Sequence, residues 1–346
     1  MSFNLQEILR ESIKNLKAYS SARDEFTGKA DVYLDANENP FDTGLNRYPD
    51  PYQQDLKAKI AHLKNVRQER IILGNGSDEV IDLIFRAFCE PGKDEVIILP
   101  PTYGMYQVSA DINNVKAKSV PLTPDFEINE PALLEAINDN TKVIWLCSPN
   151  NPTGNTLDPE AIKSVLNSFK GVVIVDEAYI DFSYSQSWID YLDFHPNLIV
   201  MQTFSKAWGL AGLRLGMGFA SNEIITVLNK IKPPYNINTL TQEKTSEILG
   251  KLDERNEAID IILAERILLA KALEEIACVR KIYPSDANFI LVKIDDATNI
   301  YNKLVEKSII VRNRSNVKLC ENCLRITIGT SKENKLVIAA IKEITS

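Results

Sequence analysis

Short apolar runs, separated by longer amphipathic stretches, dominate the middle of the chain. Runs of four to six residues rich in Ile, Val and Leu occur at 70–73, 95–99, 142–147, 172–175 and 198–201. Such runs predict strands. Between several of them the apolar positions recur with helical spacing, as at 79–88 and 159–169. A strand covered on both faces is apolar throughout rather than alternating, so this order predicts an α/β fold with a mostly parallel sheet between helices. From about 242 to 277 the pattern is long, charged and helical, with Ile259, Ile262, Leu263, Ile267 and Ala270 as its apolar positions, and it leads out of the sheet. Strand-like segments at 289–292, 309–311 and 324–328, with a closing helix at 332–344, predict a smaller α+β domain. The first forty residues read as an amphipathic helix and an extended arm that packs on the small domain or on a partner chain. The expected division is therefore 1–40, 41–250 and 251–346.

Composition narrows the function classes. With 346 residues, 45% hydrophobic and 25% charged, the chain is an ordinary globular sequence long enough for two domains. A net charge of −8 argues against a general nucleic-acid or anionic-membrane surface. No apolar run approaches bilayer length and the first residues lack the pattern of a signal peptide, so a cytoplasmic location is expected. The five cysteines are an odd, scattered set, which points to reduced thiols. Cys320 and Cys323 have the spacing of half a zinc site but no second pair, so no metal is expected. Two histidines leave little material for Ser-His-Asp chemistry.

The chemistry-bearing residues follow the predicted strands, where open α/β sheets gather ligands. After the run at 70–73 stands Gly74-Asn-Gly-Ser-Asp-Glu79, opening a helix. Its glycines and free amides suit a phosphate, though alone the segment reads first as a turn with Ser77 or Asp78 as N-cap. Tyr103 follows the second run, as a ring to stack on a planar group or as a plain core tyrosine. Ser148-Pro-Asn-Asn-Pro-Thr-Gly154 follows the third and aims the Asn151 amide, or makes an ordinary turn. Asp176, with Tyr179 three residues on, follows the fourth; an acid after four apolar residues needs a partner, either a pyridinium N–H or a structural arginine. The fifth run leads to Thr203, Ser205, Lys206 and Arg214. Lys206, in a Ser/Gly/Ala setting just past a core strand, is either a snorkelling surface lysine or an amine nucleophile beside a phosphate site. Each group alone reads as ordinary structure. Together they supply a phosphate cup, a stacking ring, a phenolate donor, a pyridinium acid and a Schiff-base lysine, which are the requirements of pyridoxal 5′-phosphate (PLP).

These motifs, with Asn37-Glu-Asn-Pro40, Arg47-Tyr-Pro-Asp-Pro51 and Leu324-Arg-Ile-Thr-Ile-Gly-Thr330, resemble in order and over nearly the whole chain the fold-type I PLP-dependent aminotransferases, and within them the histidinol-phosphate branch. The resemblance implies a large PLP-binding domain with a mostly parallel seven-stranded sheet and a smaller α+β domain. It implies Lys206 as the cofactor-bonding lysine, Asp176 on the pyridine nitrogen, Asn151 and Tyr179 on the 3′-oxygen and Tyr103 on the ring. Ser77, Asp78, Thr203, Ser205 and Arg214 are then on the cofactor phosphate, joined by Tyr48 from a neighbouring subunit of a homodimer. Arg312 and Arg325, with Tyr19 and Asn151, are implied on the substrate. Ala18 precedes Tyr19 where the family often has proline. The implied substrates are L-histidinol phosphate, its keto counterpart, L-glutamate and 2-oxoglutarate. Aminotransferases for aromatic or other amino acids and threonine-phosphate decarboxylase are the rivals. A PLP-binding regulator is a further reading, but it requires a DNA-binding segment that the acidic-to-neutral N-terminal stretch does not provide.

Overall fold

The computed structural model describes residues 3–20 and 30–345. Seven strands form the larger sheet: β1 (Ile71–Asn75), β2 (Glu95–Ile98), β3 (Lys116–Ser119), β4 (Thr141–Cys147), β5 (Val172–Asp176), β6 (Leu198–Thr203) and β7 (Leu215–Phe219). Their spatial order is β1-β7-β6-β5-β4-β2-β3. All neighbours are parallel except β7, which runs antiparallel to both β1 and β6.

The apolar runs are continuous because both faces of this sheet are covered. Along β5, Val173 and Val175 pack into one core while Val172 and Ile174 pack into the other. In β6, Leu198 and Val200 alternate in the same way with Ile199 and Met201. Each such buried side chain contributes about 1.5–3 kcal/mol relative to exposure. The helices Gly76–Phe88, Met105–Ile112 and Asn222–Ile231 supply apolar residues to the second of these cores, and Pro159–Ser168 to the first.

A second sheet, ordered β10-β11-β9-β8, is antiparallel. It comprises β8 (Val279–Ile282), β9 (Phe289–Ile294), β10 (Arg312–Asn313) and β11 (Cys323–Thr327), packed against the helices Leu252–Glu274, Ala297–Glu306 and Ser331–Thr345. Leu291, Cys320 and Cys323 join the same core as residues of β4, β5 and β6, so the two sheets meet through packed apolar surface.

Several expectations need correction. β7 was not anticipated, since Leu-Gly-Met-Gly-Phe carries two glycines that weaken a strand signal. The register demands them: a Cβ on Gly216 would stand 2.2 Å from the Ser77 amide nitrogen, and one on Gly218 2.9 Å from Ile72. β3, Lys-Ala-Lys-Ser, was missed because it is a polar edge strand. The helix expected over 242–277 is two helices, Thr239–Ile248 and Leu252–Glu274, parted at Gly250 and Lys251, since glycine is a poor helix former. The N-terminal helix is two single turns, Leu5–Ile8 and Glu11–Lys14, parted where the Arg10 N–H donates to Ala87 O. It packs Ile8 and Leu9 into the larger sheet's core rather than on the small domain, because their apolar partners lie on the helix Gly76–Phe88 side of that sheet. The strand expected at 309–311 lies instead at Arg312–Asn313.

Candidate active site

Parallel strands bring their carboxyl ends to one edge, and the groups following β1, β2, β4, β5 and β6 converge there on a cavity of about 150 Å³. Ser77, Asp78, Tyr103, Asn151, Asp176, Tyr179, Thr203, Ser205, Lys206 and Arg214 all line it.

At one end, β1 turns into the helix Gly76–Phe88 through Gly76, whose φ of +72° favours glycine. The Gly76 N–H donates to Arg214 O at 2.8 Å, locking the helix start to the turn before β7. Amides in the first turn of a helix have no intrahelical acceptor and favour an anion. Arg214 stands beside them, its Nη2 3.4 Å from Asp78 Oδ2, and the Tyr103 hydroxyl donates to Asp78 Oδ1 at 3.2 Å. The turn after β6 is held by Ser205 N–H donating to Thr203 Oγ1 at 3.1 Å, which places both hydroxyls at the same end.

Asp176 occupies a buried position at the end of β5, on the face that also carries Ile174 and Cys147. Burial pushes its pKa up to about 6, against opposing donation from the Tyr106 hydroxyl and the Ala178 N–H. Those donors lie at 2.6 Å from Oδ2 and 3.1 Å from Oδ1. Tyr106 is itself fully buried and stacked on Trp145, with ring centroids 4.8 Å apart. Sequence reasoning missed Tyr106; the available signal was a second tyrosine one helical turn beyond Tyr103.

Lys206 is exposed at the cavity mouth, its Nζ 5.6 Å from the centre of the Tyr179 ring. Partial burial, then the nearby Arg325, lower the pKa of its amine, while Asp176 and Asp78 oppose the shift. Asn151, buried in the turn after β4, donates from Nδ2 to the Tyr179 hydroxyl at 3.3 Å. Its Oδ1 accepts from Arg325 Nη1 at 2.5 Å, a contact joining residues 174 positions apart. The Arg325 guanidinium also lies over the Phe289 ring, 5.1 Å from its centre. The second sheet thus presents a cation to the larger sheet's cavity.

The remaining candidates lie outside this cavity. Arg312 is exposed on β10, directly opposite Arg325 in register. Tyr19 is exposed. Tyr48 stacks on Tyr235 with centroids 4.5 Å apart, beside a separate open cavity of about 600 Å³. Arg314, which sequence reasoning did not single out, stands near Arg325 and Tyr179.

The arrangement offers anion donors at one end, a buried carboxylate that favours a cationic partner and an amine with a lowered pKa. Comparison with known proteins agrees with that chemistry. The family described as aminotransferase class I and II matches residues 28–341. Histidinol-phosphate aminotransferase of Flavobacterium johnsoniae is 55% identical, with 99% of each chain covered. That of Christiangramia forsetii is 57% identical over 99% of this chain and 98% of the relative. The crystal structure of histidinol-phosphate aminotransferase from Sinorhizobium meliloti in complex with pyridoxal-5'-phosphate superposes with a TM-score of 0.80 at 24% identity, covering 86% of this chain and 83% of that one.

Proposed function

Because this chain belongs to the aminotransferase class I and II family, we propose that it moves an amino group between L-histidinol phosphate and 2-oxoglutarate, reversibly, with PLP as cofactor. The observation that carries the reading is the convergence of Lys206, Asp176 and Asn151 on one cavity edged by a helix start and Arg214, with Arg325 reaching Asn151 from the second sheet.

The cavity fits the cofactor residue by residue. The helix start at Ser77 and Asp78, with Thr203, Ser205 and Arg214, holds the phosphate. A bulkier residue at Gly216 would press on that helix start, which supports a backbone cradle there. Asp176, buried and in need of a cation, takes the pyridine nitrogen; Asn151 and Tyr179 take the ring oxygen, and Tyr103 covers the ring. Bound there, PLP supplies an aldehyde that condenses with amines and a ring that accepts the electrons of a broken C–H bond. Lys206 Nζ, held towards its neutral form, would take the proton from the substrate Cα and hold it for delivery to the carbon that receives the amino group. Asp176 keeps the pyridine side charged. Arg325, oriented by Asn151, takes the anionic end of either substrate, since a guanidinium fork accepts both carboxylate and phosphate oxygens. Tyr19 and Arg312 belong to the same substrate end.

The reading includes a homodimer in which Tyr48 reaches the partner's cofactor phosphate. Its support is the open cavity beside Tyr48 and the exposed apolar side chains of Leu34 and Phe41. It takes residues 41–250 as the cofactor-carrying domain, 251–346 as the domain that brings Arg325, and 1–40 as an N-terminal helix and an arm towards the partner subunit. A cytoplasmic setting suits the five free thiols. Among the described residues no helix is long and apolar enough to cross a membrane.

The test is amino exchange from L-histidinol phosphate, L-phenylalanine and O-phospho-L-threonine to 2-oxoglutarate. L-Histidinol phosphate is expected to give the highest kcat/KM, and Lys206→Ala to abolish turnover. Preference for phenylalanine, or CO2 release from phosphothreonine, would replace the reading.

A further inference from the structure

β10 and β11 are antiparallel, with Arg312 opposite Arg325 and Asn313 opposite Leu324. The pairing extends one residue further, because the Arg314 N–H donates to Cys323 O at 2.9 Å. Side chains alternate across a strand, so Arg312 and Arg314 leave the face that carries Arg325. Leu324, on the opposite face, lies in the core of the second sheet, whereas Arg325 reaches Asn151 at the cavity. Three guanidiniums are thereby gathered on one patch beside the mouth of the site.

That patch lacks compensating charge. Among the described residues no carboxylate forms an ion pair with Arg312, Arg314 or Arg325. The Nε atoms of Arg314 and Arg325 are buried without a hydrogen-bond partner. Burial, then repulsion from Arg325 and Arg312, pushes the pKa of Arg314 down, while Cys320 and Tyr179 oppose the shift. Clustered, partly buried cations are unfavourable unless an anion reaches them. A carboxylate brings one negative charge and two oxygens. A phosphate monoester brings about −1.5 to −2 and three acceptor oxygens.

We propose that Arg314 is a specificity-determining residue that, with Arg325 and Arg312, favours a substrate carrying a phosphate monoester over one carrying a carboxylate. This rests on the substrate reading above and adds a residue to it. Arg325 is already placed to satisfy a carboxylate. Arg314 contributes only when the anion has the charge and the additional oxygen to reach it.

The experiment compares the holoenzyme with Arg314→Gln and Arg314→Lys in the amino-donor half-reaction, using L-histidinol phosphate, L-histidinol and L-glutamate. The ratio of kcat/KM for the phosphorylated to the unphosphorylated alcohol isolates what the phosphate contributes. In Arg314→Gln that ratio should fall by about 10-fold or more, the effect of a lost charge-assisted hydrogen bond. Arg314→Lys should lose less, and the glutamate half-reaction should lose less than the phosphorylated amine. Inhibition by propyl phosphate should weaken in the same variant while inhibition by propionate holds. An unchanged ratio, or an equal loss for glutamate, overturns the proposal. If the unmodified enzyme itself shows no preference for the phosphorylated alcohol, the substrate reading falls, and this inference with it.

Discussion

Two ionisable groups of the site are pushed towards neutrality: the Lys206 amine downward, by partial burial and then by Arg325, and the Asp176 carboxyl up to about 6, by burial. In the proposed function that direction lets Lys206 take up a proton. For Asp176 it works against pairing with a pyridinium, and Tyr106 is the correction. Its hydroxyl, 2.6 Å from Oδ2, stabilises the carboxylate and holds its orientation against the Trp145 stack. In the cofactor-free protein Asp176 keeps its proton to about pH 6, above its ordinary value of 3.8. Between those values the folded chain binds more protons than the unfolded one, so this residue's contribution to stability falls as pH rises through the window. Tyr106→Phe should carry that decline above pH 6, as read by chemical denaturation of the cofactor-free protein from pH 4 to 8. The same variant should weaken PLP binding at pH 7 by about 10-fold, the cost of losing a hydrogen bond to a charged group. A decline ending at the same pH in both proteins would remove Tyr106 from this role.

Among the elements, β7 contributes most to the site for the least sequence signal. It is the one strand of the larger sheet that runs against its neighbours, and its pairing sets Gly216 opposite both Gly74 and Thr203. This holds the start of the helix Gly76–Phe88 against the turn that carries Ser205 and Lys206. Because a Cβ at 216 would collide with backbone rather than with a flexible side chain, the helix start itself would have to move. Gly216→Ala should therefore cost about 1–3 kcal/mol of stability through overpacking. PLP affinity should drop by more than Tm alone implies, because the displaced amides are those proposed to hold the phosphate. Spectroscopic titration with PLP and thermal denaturation separate the two effects; unchanged affinity would show that the cradle lies elsewhere.

For the molecule as a whole, the site requires both sheets, and by the proposed reading it also requires two chains. The bond from Arg325 to Asn151 ties the second sheet to the cavity of the first. Tyr48, at 52% exposed and outside that cavity, acts in the proposed function only across a dimer. Mixed dimers test this. Lys206→Ala chains have no working site, and Tyr48→Ala chains should have weakened ones. In the heterodimer the Tyr48→Ala subunit regains Tyr48 from its Lys206→Ala partner. Activity should then exceed that of the Tyr48→Ala dimer per intact Lys206, and no gain on subunit exchange would rule out the shared site.

How far each feature was legible depends on how local its cause is. The five runs that became β1, β2, β4, β5 and β6 could be read because burial on both faces requires an apolar residue at every position. The groups after them could be read because a parallel sheet brings successive carboxyl ends to one edge, whatever the distances along the chain. Lys206, Asp176 and Asn151 follow from those two facts. β7 could not be read, since its glycines answer to the atoms of a helix some 140 residues earlier along the chain. Nor could Tyr106 beneath Asp176, the alignment of Arg314 with Arg312 and Arg325, or the reach of Arg325 to Asn151. Each depends on strand order, register or the meeting of two sheets, which are non-local contacts that no window of residues contains. Local sequence therefore specified which chemistries line the cavity, and the long-range packing decided how they are oriented and which charges remain for a substrate.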